Sequence, residues 1–442
     1  MTYTSHAGIW LLIPLLIKSK VFEWLDVVKI KCKTSVSIFQ LFLNMFVLIV
    51  SQGFERVFHL NHMSDMGLAL FTGYKLLKQS TVSKLVAALS GVSKLKDIWS
   101  RSNGVNAKTL PHLKCGIAID EHIIPYWGDE DVGKCRVPTR GRVMRSLKVF
   151  VAFLLGSRQH LCFDVTKGSV RLSNRIIGTV NKVREYVGTV QRIIIVADKG
   201  SYSGKNFTEL NRMERVHYIL PAKNTAGNKR QWNKVKDCKY REYTDPRNNA
   251  KFKLAVTRTS VRNCPDEIRT ILLKDEKNEY TAFFTNFSSK PPEDVLDYYR
   301  THWRQETSYR ILKNDLGFDY IPKPTKTTDK VKSLNNEALD FTVWAKLYVA
   351  NILEQFSITL GGNWKHKYAS TLVRQIIAQP GYIELFNDRI EVTLEYKPND
   401  EINRYIESIN NESICIPWLN NKTLYIKLSK NSIKKRQNLI LY

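Results

Sequence analysis

No uninterrupted apolar stretch in this sequence is long enough to cross a bilayer. The two strongest runs, Gly8–Ile17 and Ile38–Val50, fall short of the roughly 20 residues that a span needs, and Pro14 and Asn44 interrupt them. No basic segment precedes the first run, so a secretory leader is not expected. Both runs read as core helices, and no membrane partner is expected. Cysteine is sparse and unpatterned. The seven residues Cys32, Cys115, Cys135, Cys162, Cys238, Cys264 and Cys415 make an odd count with no CxxC spacing. That argues against a disulfide framework and a zinc ribbon, and it fits a reducing, cytoplasmic compartment. Internal repeats and long low-complexity tracts are also missing. Acidic side chains are the remaining shortage, with 41 Asp+Glu against 68 Lys+Arg.

What is present is a globular composition with a large positive surplus. The 442 residues are 43% hydrophobic, which excludes global disorder. At about 150 residues per domain, two to three domains are expected. The formal charge of +27 calls for a polyanionic partner, nucleic acid first. The surplus is spread unevenly: residues 1–106 carry +7, 107–216 carry +9, 217–290 carry +8, 291–421 carry −3 and 422–442 carry +6. A broad basic body is therefore followed by a slightly acidic segment and a short basic tail.

Along the chain, residues 15–100 carry helix-period apolar patterns. Ser80–Trp99 reads as helix, glycine turn, helix, which suits either a helix-turn-helix or an ordinary helical hairpin. After Pro111 the texture changes. Cys115–Asp120, Leu147–Leu155 and His160–Val165 read as strands and residues 172–187 as a helix. Arg192–Asp198 is apolar almost throughout, as a buried central strand should be; Ser203–Met213 then reads as helix and Val216–Leu220 as strand. The first three strands suit an antiparallel meander, and the later alternation suits parallel crossovers. Residues 221–283 form a basic, strand-rich insertion. A long helix is expected from about Glu293 to Leu316, and a buried one over 337–360.

Three acids stand out by position. Asp120 ends the first strand and is followed by Glu121 and His122. Asp198 ends the central strand, and Glu306 lies within the long helix. A carboxylate at the end of a buried strand must be paired or must bind metal. The Glu306 helix presents a mixed face: at about 100° per residue, Tyr299 and Lys313 lie about 20° to either side of Glu306, His302 and Arg310 about 40° away and Trp303 about 60° away. This composition suits neither a core stripe nor a solvated face. It fits a surface that holds a metal through Glu306 and phosphates through Arg310 and Lys313. Trp303 could stack on a base or pack in the core. The Asp129–Asp131 run reads as a solvated loop, and His122 either tunes the site or is structural.

The segments "IAID", "IIIVADKGSYSG" and "YYRTHWRQETSYRILKNDLGF" resemble those of DDE-class transposases of bacterial or archaeal insertion sequences. The last resembles that family's Tyr-Arg-Glu-Lys signature. Tyr299, Glu306 and Lys313 match its spacing, and His302 stands at the arginine position. The resemblance implies an α/β fold: a ribonuclease-H-like catalytic domain with a mixed five-stranded sheet, interrupted by a β-rich insertion. A helical N-terminal region and a helical C-terminal region would flank it. The implied division is 1–106 for DNA-end binding, 107–220 and 284–320 for the catalytic domain, 221–283 for the insertion and 321–442 for the C-terminal region.

The resemblance further implies that Asp120, Asp198 and Glu306 hold two Mg²⁺ ions, with Mn²⁺ able to substitute. Tyr299, His302, Trp303, Arg310 and Lys313 would contact DNA. Water would cleave the transposon end as an endonuclease does, and the freed 3′-OH would attack target DNA. A homodimer is implied because two ends must be synapsed. Two other readings of the same residues stay open: a catalytically silent DNA-binding homologue, and a ribonuclease-H-like nuclease without strand transfer.

Overall fold

Strand-forming sequence dominates the middle of the chain, and there it builds one large sheet. The structure, a computed structural model, describes residues 1–51, 56–108, 115–128, 130–155, 157–189, 191–246, 248–301, 316–319, 325–328, 331–395 and 399–429. The chain divides into two units. One comprises Ser100–Tyr126 and Asp131–Ser308; the other comprises Met1–Trp99, Trp127–Glu130 and Tyr309–Tyr442.

The first unit holds a ten-stranded sheet: β1 (Cys115–Pro125), β2 (Lys134–Val137), β3 (Arg142–Leu154), β4 (His160–Lys167), β5 (Ile193–Ala197), β6 (Val216–Pro221), β7 (Arg241–Thr244), β8 (Lys251–Ser260), β9 (Glu267–Lys274) and β10 (Tyr280–Thr285). The order is β7-β8-β9-β10-β6-β5-β1-β3-β4, and β2 pairs with the start of β3. Strands β1, β3 and β4 form the expected antiparallel meander. Strands β1, β5 and β6 are mutually parallel neighbours. Parallel neighbours need crossovers. Helix α1 (Ile176–Val187) lies between β4 and β5, and helix α2 (Gly204–Arg212) between β5 and β6.

Period-2 alternation sorts the side chains of β1 and β5 onto two apolar faces. Ile117, Ile119, Ile193, Ile195 and Ala197 join one core with Ile176, Val180 and Val183 of α1 and Phe207 and Leu210 of α2. Ala118, Ile194 and Val196 join the other core with Val295 and Leu296 of helix α3 (Pro292–Thr301). A strand buried on both faces has no polar position, which is why Ile193–Ala197 reads as an unbroken apolar run.

The basic insertion is not a module apart from this sheet. Its strands β7–β10 extend the sheet past β6, with Ile219 opposite Thr285, Leu220 opposite Phe284 and Pro221 opposite Phe283. At its centre the buried Thr259 hydroxyl accepts from Trp232 Nε1 at 3.2 Å and from the Thr270 hydroxyl at 2.8 Å.

The second unit gathers both ends of the chain. Helix Ile38–Val50 is buried from Leu41 to Val50. Its one polar core residue, Asn44, accepts from the Leu77 amide at 2.7 Å and donates to the Gln40 carbonyl at 2.8 Å, so the amide is satisfied. The 25-residue helix Asn336–Leu360 starts at an Asn335 cap and is apolar on most of its circumference, as expected. Among the described residues, no helix is long and apolar enough to cross a membrane.

The C-terminal region departs from the helical expectation. Strands Gly381–Leu385, Arg389–Leu394, Cys415–Ile416 and Lys422–Leu428 form a five-stranded sheet with Thr2–Thr4. The alternation Arg-Ile-Glu-Val-Thr-Leu over 389–394 places Ile390, Val392 and Leu394 inward, a period-2 signal in a segment read for helices. The basic tail from residue 430 onward lies outside the described residues.

Ile195 is fully buried in β5, between β1 and β6. Ile195→Ala is expected to destabilise this unit by about 2–5 kcal/mol, the range for deleting a large core side chain. Chemical denaturation followed by hydrogen exchange of β1 and β5 amides would measure it.

Candidate active site

Register brings the two predicted aspartates together. The parallel ladder between β1 and β5 ends at Ile119 opposite Ala197. Asp120 and Asp198 each stand one residue beyond that last pair. Alternation puts Asp120 on the face of Ala118 and Asp198 on the face of Val196, which is the same face of the sheet. Neighbouring strands are about 4.8 Å apart, so the two carboxylates project side by side.

One detail corrects the sequence reading. Asp120 does not end its strand: β1 continues five residues to Pro125, and Asp120 faces Val151 of β3. The strand outlasts its apolar run because β3 supplies a partner on that side alone. Asp120 is half-buried, and its Oδ1 accepts the Glu121 amide at 2.8 Å. Asp198 is exposed. Its main chain is anchored: the Asp198 carbonyl accepts from the Ser201 amide at 2.9 Å and from the Ser201 hydroxyl at 2.6 Å. Asn206 of α2 donates in turn to the Ser201 and Ser173 carbonyls, both at 2.9 Å.

The other acids near Asp120 are separated from it. Glu121 belongs to the opposite face, where it pairs with Lys148 at 2.9 Å. Lys148 is almost fully buried, so this pair satisfies a charge that could not otherwise stay there. His122 returns to the Asp120 side, opposite Val149. Of the acidic run, Asp131 is exposed and pairs with Lys167 at 3.2 Å, whereas Glu130 is buried, contrary to the solvated-loop reading.

Helix α3 covers the face on which the aspartates stand. Its Tyr299 ring packs on Phe283 of β10, with centroids 4.6 Å apart. Burial pushes the neighbouring Tyr298 hydroxyl above its ordinary pKa. The insertion holds this helix. Arg300 pairs with Asp245 at 2.9 Å, just past β7, and with Asp297 at 2.9 Å, and its guanidinium lies over the Tyr243 ring at 5.4 Å. Burial alone would lower the Arg300 pKa, but the bond to Tyr243 and the two carboxylates outweigh it and keep the group charged.

A second tie joins Arg241 to Glu293. A third comes from Arg269, which donates to the Lys290 carbonyl at 2.8 Å and to the Phe287 carbonyl. Arg300 is thus occupied by carboxylates and does not stand in for the signature arginine. Sequence reading missed these anchors, because their partners lie 18 to 59 residues away along the chain.

His302, Trp303, Glu306, Arg310 and Lys313 lie outside the described residues. Among the described residues, no group of three His, Cys, Asp or Glu side chains could hold a metal ion. Asp120 and Asp198 by themselves supply two hard oxygen donors, the type that Mg²⁺ takes. Two charges about 4 Å apart repel by about 1 kcal/mol in water and about 4 kcal/mol near a protein surface. A shared cation turns that repulsion into attraction, so the pair fits a divalent ion.

Residues 111–327 match the transposase DDE domain family. The matched span is just under half of the chain and contains Asp120, Asp198 and Glu306. Curated proteins give no match. Among solved structures, the piggyBac transposase synaptic complex with hairpin DNA, determined by cryo-EM, is similar at 9% sequence identity and a TM-score of 0.46. The similarity covers 84% of this chain and 78% of that one.

The opposite orientations of Asp120 and Glu121 give a paired test. Asp120→Asn should weaken Mn²⁺ binding at least about tenfold while leaving the denaturation midpoint in place. Glu121→Gln should leave Mn²⁺ binding unchanged and cost about 1–3 kcal/mol by stranding buried Lys148. Calorimetric titration with Mn²⁺ and denaturation of each full-length variant would check both.

Proposed function

We propose that this protein is a DNA transposase of the insertion-sequence type. In this reading Asp120, Asp198 and Glu306 are the metal-binding catalytic carboxylates of a ribonuclease-H-like domain. The observation that carries the reading is the register of β1 and β5, which sets Asp120 and Asp198 side by side on the face covered by α3. The order β4-β3-β1-β5-β6, in which β3 alone runs backward, supports the ribonuclease-H-like assignment. The family match over 111–327 supports the transposase assignment, and the charge of +27 supports a DNA partner.

The carboxylates of Asp120 and Asp198 bind from the sheet, and Glu306 binds from the continuation of α3. Two divalent ions, Mg²⁺ or Mn²⁺, about 3.5–4 Å apart would supply an activated nucleophile and charge neutralisation at the leaving oxygen. The reaction has two in-line displacements. In the first, water adds to a phosphorus at the element end, the bond from phosphorus to the 3′ oxygen breaks, and that oxygen keeps a proton as a 3′-OH. In the second, this hydroxyl loses its proton and attacks a target phosphodiester. One such bond forms as one breaks, so no external energy source is required.

The role of the protein is to hold the DNA in line. Tyr299, Arg310 and Lys313 contact terminal phosphates, His302 occupies the arginine position beside them, and Trp303 stacks on a base. Two ends must meet before joining, so the working assembly is a homodimer on DNA within the cytoplasm. A silent DNA-binding homologue is the second reading, and His302 is the residue that favours it.

Duplexes carrying the element's own ends test both. With Mg²⁺ the full-length protein should nick them and join precut ends to target DNA. Glu306→Gln should lose cleavage by about 100-fold or more, since even an outer-shell partner of a metal is worth about 10–100-fold, and should keep its affinity for DNA. Cleavage retained in Glu306→Gln would sink the assignment. Binding without nicking by the unmodified protein would favour the silent homologue, and nicking without joining the nuclease.

A further inference from the structure

Far from the aspartates in sequence, two stretches of the N-terminal region contain no acidic residue at all. Residues 27–54 hold Lys29, Lys31 and Lys33, and residues 66–96 hold Lys75, Lys78, Lys84, Lys94 and Lys96, with no Asp or Glu in either. The fold joins them. Strand Lys29–Ile30 pairs antiparallel with Leu89–Ser90, Lys29 opposite Ser90 and Ile30 opposite Leu89. The Lys31 amide donates to the Ala88 carbonyl at 2.8 Å. Gly91 makes the close approach possible: its φ is +87°, and a Cβ there would lie 2.4 Å from the Val27 carbonyl oxygen. The antiparallel pairing sends residues 31–34 back along helix Gln79–Ala87. Between them opens a cleft of about 240 Å³ lined by Lys33, Thr34, Ser80, Thr81, Lys84 and Leu85.

The lining has one chemical character. Two ammonium groups and three hydroxyls are hydrogen-bond donors, and Leu85 forms an apolar floor. Lys33 and Lys84 are exposed, and among the described residues neither makes an ion pair. Small-molecule sites are about 300–1,000 Å³ and mostly apolar. This cleft is smaller and cationic, so it suits one charged group on a larger chain better than a free metabolite. Lys, Ser and Thr side chains are also the usual partners of phosphate oxygens, contacts that position DNA without reading its sequence.

We propose that this cleft is a contact site for the phosphodiester backbone of DNA, with Lys33 and Lys84 bracketing one phosphate and Ser80 and Thr81 donating to it. The site rests on the transposase reading and gives the N-terminal region a defined part in it: it grips the duplex away from the catalytic carboxylates, and it does so independently of sequence.

The test is affinity, measured without divalent cations so that cleavage plays no part. Full-length protein would be titrated with fluorescent duplexes, one carrying the element end and one of unrelated sequence, between about 50 and 200 mM salt. In Lys33→Gln/Lys84→Gln the slope of log affinity against log salt should become shallower by about 2, one unit per lost phosphate contact, equally on both duplexes. Lys33→Arg/Lys84→Arg should restore the slope, which separates lost charge from misfolding. An unchanged slope in the Gln pair would overturn the cleft while leaving the transposase reading intact. Failure of the unmodified protein to bind either duplex would overturn the transposase reading and the cleft with it. Inorganic phosphate bound at the cleft with no effect of the Gln pair on DNA would mark a free-anion site and overturn the proposal. So would lysine-dependent binding to phosphatidylserine vesicles with DNA affinity unchanged.

Discussion

The hydrogen-bonded ladder between two parallel strands, Cys115–Ile119 against Ile193–Ala197, is the constraint from which the rest of the site follows. A parallel pair fixes which residues are level, and a one-residue slip would turn every side chain to the other face. Burial on both faces makes such a slip costly, because it would exchange the partners of two apolar cores at once. Within the correct register, Asp120 and Asp198 have one available arrangement: side by side, at the point where the ladder stops. The apolar core thus fixes a polar site without containing a polar residue.

The same register separates neighbours in sequence. Asp120 and Glu121 are adjacent acids with different tasks, because β-structure sends them to opposite faces. Glu121 neutralises buried Lys148. Asp120 stays on the side that α3 covers. The helix is held from the insertion, through Asp245 to Arg300, Arg241 to Glu293 and Arg269 to the carbonyls before the helix. The insertion is continuous with the sheet through β10 and β6, so sheet and helix are anchored to one frame. A carboxylate on the sheet and one further along that helix can then hold a fixed spacing, as a pair of cations about 3.5–4 Å apart demands.

Much of this was legible in the sequence, and for identifiable reasons. Ile193–Ala197 announced itself because only a doubly buried strand tolerates five apolar residues in a row. The helices over 176–187 and 336–360 were readable from their 3.6-residue period. Asp120 and Asp198 were conspicuous because acids rarely adjoin such strands. The parts that were not legible depend on distant partners. The true length of β1 is set by β3. The ties of Arg300 and Arg269 reach into other strands. The C-terminal sheet borrows Thr2–Thr4 from the opposite end of the chain, and no local pattern shows that pairing. Lys148 reads as a surface residue in sequence and is buried because Glu121 faces it.

The positive charge and the acids act in opposition at the proposed site. Two adjacent carboxylates facing a DNA phosphate bring three like charges together. At a protein surface each pair costs about 4 kcal/mol at 4 Å, enough to cancel several of the modest contacts that surface lysines supply. Basic residues elsewhere on the chain can hold the duplex without entering this cluster, which is why the surplus is spread over residues 1–290 and does not surround the aspartates alone. Bound cations reverse the sign at the centre, so cation affinity and close approach of the phosphate must favour each other by the same factor. DNA held at the periphery therefore raises the cation affinity of the centre only once the scissile phosphate itself arrives, which couples correct placement of the substrate to assembly of the site that acts on it.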